Sequence, residues 1–211
     1  MIFNYYGKRS LFIHIPKTGG NSIQYELIKR DFTSDKIVCT GHQDGFDRFE
    51  IRGDLTKQKH QKFFEYLEKD PSLRSSQVFS VIRKPFERLV SLYFSPNRHF
   101  KRNFINRKFY LKNNVSFSEE KFFELVNQTS SSSEMLSQNK KFVELPKNLI
   151  TMRFEKLNEE LLKYFPDFDF SSRKNISKYM EDSKKVLKSK FLRNFVESSF
   201  HKSDLENFYH Y

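Results

Sequence analysis

The sequence has a single cysteine, Cys39, and no apolar run approaches the ~20 residues that a membrane-spanning helix requires. One cysteine excludes a framework of internal disulfide bonds and favours a reducing compartment. Lys8, Arg9 and Ser10 interrupt the N-terminal stretch, which is therefore unlike a secretory signal peptide. Together these absences predict a cytoplasmic protein without a transmembrane segment.

Acidic residues are absent between Arg88 and Ser118, although this stretch is rich in lysine and arginine. The whole chain has a formal net charge of +12 and a pI near 9.6. Such a charge predicts an anionic partner, and nucleic acid, anionic lipid, an acidic glycan and a phosphate-rich cofactor all satisfy it. The acid-free stretch is either a solvated basic loop or an anion-binding surface.

Large aromatic residues compensate for a low overall hydrophobic content. Hydrophobic residues make up 37% of the chain, below the roughly 45–50% of ordinary soluble proteins. The 25 Phe and 10 Tyr bury more area per residue than Ala or Val would. The 211 residues are enough for one sizeable core, so we expect a single domain over 1–211.

Short apolar runs alternate with amphipathic stretches along the chain. The pattern predicts strands at 10–15, 37–40, 77–83 and 149–154. It predicts helices at 21–30 with Asn21 as cap, at 54–69 with Asp54 as cap, from Pro85 onward, from a Ser116 capping box to Asn127, and in the C-terminal third. Residues 129–133 are predicted to form a mobile loop. This alternation predicts an α/β fold, a single P-loop-like domain with a central, mainly parallel sheet flanked by helices.

The segment 14–22, HIPKTGGNS, lies between a predicted strand and a predicted helix. Such a turn directs backbone N–H groups and a helix N-terminus at one point, where an anion binds. The residues suited to this task are Lys17, Thr18, Gly19, Gly20 and Ser22. The lysine precedes the glycines, so the G-x-x-x-x-G-K-[ST] order of the P-loop is absent. Taken alone, the segment also fits an ordinary strand–turn–helix connection.

The segment 80–93, SVIRKPFERLVSLY, also follows a predicted strand and opens a helix. Arg83 stands at the end of that strand, where α/β folds place their ligands. Arg88 and Ser91 are one helical turn apart and off the apolar stripe, so we expect them to face a ligand together. A guanidinium and a hydroxyl in this position suit a phosphate monoester. The alternative is a structural helix with solvated arginines.

The two segments resemble the cofactor motifs of sulfotransferases that use 3′-phosphoadenosine 5′-phosphosulfate (PAPS), especially the Golgi-type carbohydrate branch. IPKTGGNS is similar to I-x-K-[ST]-[AG]-G-T-S, and RKPFERLVSLY is similar to R-[DN]-P-x-x-R-x-x-S-x-Y. The chain departs from these patterns at Asn21, where the family has Thr, and at Lys84, where it has Asp or Asn. Residues 152–157 and 200–211 resemble the family's "y-E-d-L" and C-terminal "Y-x-x-D-x-x-x-F-x-Y" sequences.

This resemblance implies which residues bind the cofactor. The 5′-phosphosulfate would be held by Lys17, Thr18, Gly19, Gly20, Asn21 and Ser22. Arg83 and Ser91 would bind the 3′-phosphate, and Arg88 would assist them or brace the loop. Arg173 and Lys174 lie where related enzymes place a basic loop over the cofactor. The product nucleotide would be 3′-phosphoadenosine 5′-phosphate.

The implied reaction moves a sulfuryl group from PAPS to an acceptor hydroxyl, most suitably on a glycan, by in-line displacement with a general base. By analogy with phosphoryl transfer, the protein positions both groups and stabilises charge on the leaving oxygen, for which Lys17 is the candidate. This chemistry needs no metal, and the sequence has no cluster with metal-ligand spacing.

The preferred base is His42, whose unperturbed pKa of about 6.5 suits proton abstraction near neutrality. It lies in a Gly-His pair that resembles an element before the acceptor site in the family's uronyl and galactosaminyl branches. A surface or capping histidine is the alternative interpretation. His14, Glu26 and Asp44 are rival bases. Asp44 and Asp47 also suit orienting His42 or binding sugar hydroxyls.

Two further hypotheses compete with an active enzyme. One is a catalytically silent protein of the same fold that binds an acidic glycan or a nucleotide. The other is a nucleic-acid-binding protein, which the charge and the Phe and Tyr residues among basic ones at 98–112 favour. The sequence has no recognised nucleic-acid motif, and this hypothesis leaves both phosphate motifs unexplained. We therefore expect no nucleic-acid partner.

Overall fold

The computed structural model describes residues 1–30, 32–33, 35–39, 49–95, 100–102, 109–111, 117–168 and 180–209. The strands are β1 (Ile2–Tyr5), β2 (Lys8–Ile13), β3 (Lys36–Cys39), β4 (Phe49–Arg52), β5 (Gln77–Ile82), β6 (Phe100–Arg102), β7 (Phe109–Leu111) and β8 (Leu149–Arg153). The helices are α1 (Gly20–Lys29), α2 (Phe63–Leu67), α3 (Pro85–Tyr93), α4 (Glu119–Gln128), α5 (Ser132–Leu136), α6 (Leu157–Leu162), α7 (Met180–Leu187), α8 (Lys190–Ser198) and α9 (Lys202–Phe208). Short 3-10 turns cover Pro71–Ser75 and Phe154–Lys156. Within these ranges, no helix has the length and apolar content to cross a membrane.

The main sheet has four strands in the order β1-β2-β5-β8. β2, β5 and β8 are parallel, and β1 pairs with β2 in the antiparallel sense. Ser80 lies opposite Ile13 on one side and Thr151 on the other, so the three parallel strands end at the same edge. The expected α/β class, with a mainly parallel sheet, is confirmed. β3–β4 and β6–β7 form separate antiparallel pairs.

Both faces of the sheet are buried. Side chains alternate along β2: Leu11 and Ile13 pack with α2 and α5, while Phe12 packs with α1 and α6. A third apolar cluster lies among α3, α4, α7 and α8. Strands covered on both faces carry continuous apolar runs, which explains why the sequence alone revealed β2 and β5. β8 also has a mostly apolar run, although only Met152 in it is buried.

The helix predicted at 54–69 is wrong over its first half. Only α2 is helical, and its N-cap is Lys62 and not Asp54. In the preceding segment, the buried Thr56 donates to the Asp35 carboxylate at 2.8 Å, and the Lys57 N–H donates to the Gln61 side chain at 2.9 Å. These side-chain bonds satisfy polar groups in a non-helical path, so tertiary contacts override the helical pattern.

Two predicted helix caps are also wrong. The N-cap of α1 is Gly19, in the left-handed conformation with φ 82°, and not Asn21. The cap of α4 is Ser118, which accepts from the Lys121 N–H at 3.3 Å. Ser116 lies outside the described residues. The sequence has serines at both 116 and 118, and the local pattern does not distinguish which of them caps the helix.

The expectation of a mobile loop at 129–133 is wrong. Ser131 caps α5 in a reciprocal capping box: its hydroxyl accepts from the Glu134 N–H at 3.0 Å, and its N–H donates to the Glu134 carboxylate at 2.9 Å. Ser131, Ser132 and Ser133 are fully buried. The Ser-x-x-Glu spacing is the sequence signal for this cap, but the serine-rich composition masked it.

Candidate active site

The loop between β2 and α1 has a strained backbone. Lys17 and Gly19 both adopt positive φ, at 69° and 82°. The left-handed conformation costs a non-glycine residue about 1–2 kcal/mol, and such strain clusters at ligand sites where surrounding contacts hold it. The buried Thr18 hydroxyl donates to the Ile15 carbonyl at 2.8 Å and fixes the turn from within.

Close packing explains both glycines of this loop. A Cβ atom on Gly20 would lie 2.4 Å from Cδ2 of His14, and one on Gly19 would lie 3.2 Å from Phe154 and Leu157. The buried His14 ring therefore supports the loop from below and leaves no room for a side chain at Gly20. The sequence led us to expect that these glycines let the backbone approach a ligand closely. The structure shows that they also pack against His14, Phe154 and Leu157 of the protein itself.

The N-terminus of α1 suits an anion. Its first turn, 20–23, has no acidic residue, and its cap is a glycine. The first N–H groups of a helix lack intrahelical acceptors, and the helix dipole places partial positive charge there. Lys17 precedes this turn and Ser22 lies within it, and both are half-buried. Together the groups have the composition of a phosphate or phosphosulfate cradle.

The second motif meets this loop at the edge of the sheet. β5 ends at Ile82 and α3 begins at Pro85, which leaves Arg83 between them, as expected. Nη1 of Arg83 donates to the Lys17 carbonyl at 3.2 Å. Burial lowers the pKa of Arg83, while the Glu155 and Glu87 carboxylates oppose this shift; an arginine with that balance stays protonated. The two motifs are thus in direct contact.

Phe154 is a candidate site residue, although the resemblance of 152–157 to the family implied a mainly structural role for that segment. Cζ of Arg83 lies 4.4 Å from the centroid of its ring, a cation–π distance. The same ring bounds the space beside Gly19. Phe154 directly follows β8, whose end lies at the same edge as the ends of β2 and β5. That position was the available signal, because parallel α/β sheets bind ligands at the carboxyl ends of their strands.

Arg88 and Ser91 occupy different environments on α3. Ser91 is half-buried, whereas Arg88 has no exposed surface, and its Nη2 donates to the Ser130 carbonyl at 2.8 Å. Burial lowers the pKa of Arg88, and Asp204 opposes this shift. This corrects the expectation that both residues face one ligand. The contacts of Arg88 are those of the bracing role that the resemblance also allows.

The rival bases are described only in part. His14 is buried, its Nδ1 lies 2.6 Å from the Gln24 side-chain oxygen, and burial lowers its pKa well below the usual value. Glu26 is buried and pairs with Arg30 at 3.2 Å, toward the end of α1 away from Lys17. Both therefore have structural partners. His42, Asp44, Arg173 and Lys174 lie outside the described residues, so their roles stay predictions.

His60 is a second group near the loop that the sequence did not indicate. Its Nδ1 lies 3.0 Å from the His14 carbonyl oxygen, and the two imidazole rings are 4.6 Å apart between centroids. The residue is exposed. The two histidines are 46 residues apart in the chain, so no local sequence pattern indicates their contact. His60 is therefore a further imidazole to test for proton transfer.

Comparisons with known proteins place this geometry in a family. No curated protein and no solved structure matches the chain significantly. Residues 8–209 match the family described as the sulfotransferase family. The match spans both motifs and the whole of the parallel sheet, and it accords with a four-stranded sheet flanked by helices. The chain belongs to the sulfotransferase family.

Proposed function

We propose that this sulfotransferase uses PAPS as donor and a carbohydrate hydroxyl as acceptor. Membership of the family supports sulfuryl transfer in general. The observation that carries the choice of donor is the 3.2 Å bond from Arg83 to the Lys17 carbonyl. It joins two cationic segments at one edge of the sheet, and a nucleotide with phosphate groups at both its 5′ and 3′ positions matches two adjacent anion sites.

The described residues fit such a donor. The 5′ side would rest on 17–22, at the acid-free first turn of α1 beside the left-handed Gly19. In this turn the Ser22 N–H donates to the Gly19 carbonyl at 3.2 Å, and the helix N-terminus still favours an anion. The 3′ side would bind Arg83 and Ser91. When bound, the donor supplies the sulfuryl group and leaves 3′-phosphoadenosine 5′-phosphate as product. Arg173 and Lys174 are proposed to cover the nucleotide.

Lys17 and His42 have separate proposed roles. Lys17 neutralises negative charge on the leaving oxygen, a stabilisation that is strong in a partly dehydrated site. His42 accepts the proton of the acceptor hydroxyl. The remaining cradle residues hold the reacting groups in line, and this positioning supplies much of the rate enhancement in such transfers.

Charge supports a glycan acceptor. The net charge of +12 and the acid-free stretch from Arg88 to Ser118 favour an acidic polymer near the site. The two motifs also resemble the carbohydrate branch of the family more than other patterns. A sulfated or uronic-acid-containing glycan is therefore the first acceptor class to assay.

Calorimetric titration with 3′-phosphoadenosine 5′-phosphate tests the donor. We expect a dissociation constant in the micromolar range and much weaker binding of AMP, because AMP lacks the group that Arg83 and Ser91 are proposed to bind. ATP serves as a control for nonspecific attraction to a basic protein. No binding, or equal binding of all three nucleotides, would contradict the proposed donor and favour a silent glycan- or nucleic-acid-binding protein.

His42→Ala tests the proposed base. Turnover should fall by about 100- to 10,000-fold, as expected for loss of a general base, while affinity for 3′-phosphoadenosine 5′-phosphate stays near that of the wild type. Radiolabelled sulfate transfer to a panel of glycans measures the first quantity, and calorimetry the second. His60→Ala is the matched comparison. Unchanged turnover in His42→Ala with a large loss in His60→Ala would move the base to His60.

A further inference from the structure

The turn after β8 contacts the Arg83 segment at two points. One is the Phe154 ring, 4.4 Å from Cζ of Arg83. The other is Glu155, whose Oε1 accepts from the Lys84 N–H at 3.0 Å. That N–H belongs to the peptide that joins Arg83 to Lys84. The turn therefore restrains both the guanidinium and the backbone of Arg83.

Tyr209 holds Glu155 from the other side. Its hydroxyl donates to Oε2 of Glu155 at 3.1 Å, and Tyr209 is only 8% exposed, whereas Glu155 itself is exposed. Each oxygen of the carboxylate thus has its own donor. A hydrogen bond to a charged oxygen is stronger than one between neutral groups, so an exposed side chain acquires a defined position.

The helix that carries Tyr209 is itself anchored. Asp204, in the first turn of α9, is fully buried, and its two oxygens accept from the N–H groups of Ser132 and Ser133 at 2.8 and 2.7 Å. Tyr209 follows the last turn of the same helix. These bonds anchor the start of α9, and the Tyr209 N–H donates to the Leu205 carbonyl at 3.0 Å, which joins Tyr209 to the same helix.

We propose that Phe154 and Glu155, with Tyr209 holding Glu155, are the positioning residues of the 3′-phosphate site. They orient Arg83 toward the ligand and touch no reacting atom. The inference rests on the proposed function, because it assumes that Arg83 binds the 3′-phosphate. For Glu155 and Tyr209 the consequence is specific: loss of their contacts weakens recognition of the 3′-phosphate and leaves the rest of the nucleotide site unchanged. Phe154 also borders Gly19, so its loss affects both sides of the site.

Three substitutions test the proposal, and Glu155→Ala and Tyr209→Phe are judged by the ratio of the affinities for 3′-phosphoadenosine 5′-phosphate and AMP. Phe154→Leu, Glu155→Ala and Tyr209→Phe are each compared with the wild type by calorimetry with 3′-phosphoadenosine 5′-phosphate and with AMP. We expect the affinity for the first nucleotide to fall about three- to tenfold per variant, the effect of losing one hydrogen bond or cation–π contact. In Glu155→Ala and Tyr209→Phe the affinity for AMP should stay within about twofold of the wild type. Phe154→Leu also changes the wall beside Gly19, so it tests the cation–π contact and not the selectivity for the 3′-phosphate.

Tyr5→Phe is the matched control for Tyr209→Phe. The Tyr5 hydroxyl donates to the Tyr164 carbonyl at 3.1 Å, and Tyr5 pairs with Lys8 at the start of β2, the end opposite the Lys17 loop. The Tyr5→Phe substitution should leave the affinities for 3′-phosphoadenosine 5′-phosphate and AMP unchanged. Thermal unfolding of every variant checks that the fold is retained.

The outcomes separate two kinds of failure. If the wild type prefers 3′-phosphoadenosine 5′-phosphate over AMP and Glu155→Ala and Tyr209→Phe lose part of that preference, the proposal stands. If the wild type shows the preference and both variants keep it, the positioning role is overturned while the proposed donor survives. If the wild type shows no preference, the proposed donor fails, and the positioning role fails with it.

Discussion

Lys17→Ala is expected to lower turnover by about 100- to 1,000-fold, the usual cost of removing one group that stabilises developing charge. The fold should be retained, because alanine keeps the Cβ atom and so leaves the backbone cost of φ 69° unchanged. The Thr18 hydroxyl bond to the Ile15 carbonyl still fixes the turn. Sulfate transfer at saturating donor measures the effect, and thermal unfolding measures the fold.

Lys29→Ala is the control for charge alone. Lys29 is exposed in the last turn of α1, at the end of the helix opposite the loop. The Lys29→Ala substitution lowers the net charge by the same amount as Lys17→Ala and should leave turnover unchanged. Equal losses in the two variants would mean that overall charge attracts the substrate, and wild-type turnover in Lys17→Ala would remove Lys17 from the site.

Arg88→Ala is expected to lower the free energy of unfolding by about 3 kcal/mol or more, since removal of one partner from a buried charged cluster is costly. Arg88 is fully buried and lies near Asp204, and its bond to the Ser130 carbonyl joins α3 to the start of α5. Without Arg88, the buried Asp204 side chain loses a nearby positive charge and keeps its bonds from the Ser132 and Ser133 N–H groups. Denaturant unfolding followed by circular dichroism measures the change.

Two comparisons separate charge from packing. Arg88→Met keeps most of the volume and removes the charge, so it should remain clearly destabilised if charge compensation matters. Arg9→Ala removes a surface partner of Asp70, 2.7 Å away, and should cause a much smaller loss. An Arg88→Ala variant no less stable than Arg9→Ala would show that Arg88 is not a brace.

Local pattern was sufficient for the strands of the main sheet. β2, β5 and β8 were predicted with small shifts at their ends, because each carries a run of mostly apolar residues. Such a run is typical of strands buried on both faces, as in β5 and the second half of β2, whereas only Met152 of β8 is buried. The start of α3 was likewise predicted, since Pro85 occupies a first-turn position that needs no N–H. The strands and the start of α3 are set by residues close together in the chain, so the sequence pattern alone predicts them.

The local sequence pattern gave wrong predictions where polar side chains form hydrogen bonds with residues distant in the chain. The segment before α2 is not helical because Thr56 bonds to Asp35, and the serines before and within α5 are buried because Asp204 reaches them from α9. Neither partner is near its target in the sequence. A helical or loop-like composition does not show such bonds, so the predictions at 54–69 and 129–133 were wrong.

The sequence by itself determined the α/β class and the strongly positive net charge. The shared cofactor role of the two motifs stays a prediction that rests on their resemblance to the family's patterns. Only the tertiary structure decided that Arg83 bonds to the Lys17 carbonyl, that Phe154 and Glu155 contact the Arg83 segment, and that Arg88 faces the interior. These depend on three parallel strands ending at one edge and on α9 packing behind them, contacts between segments whose separation along the chain carries no local signal.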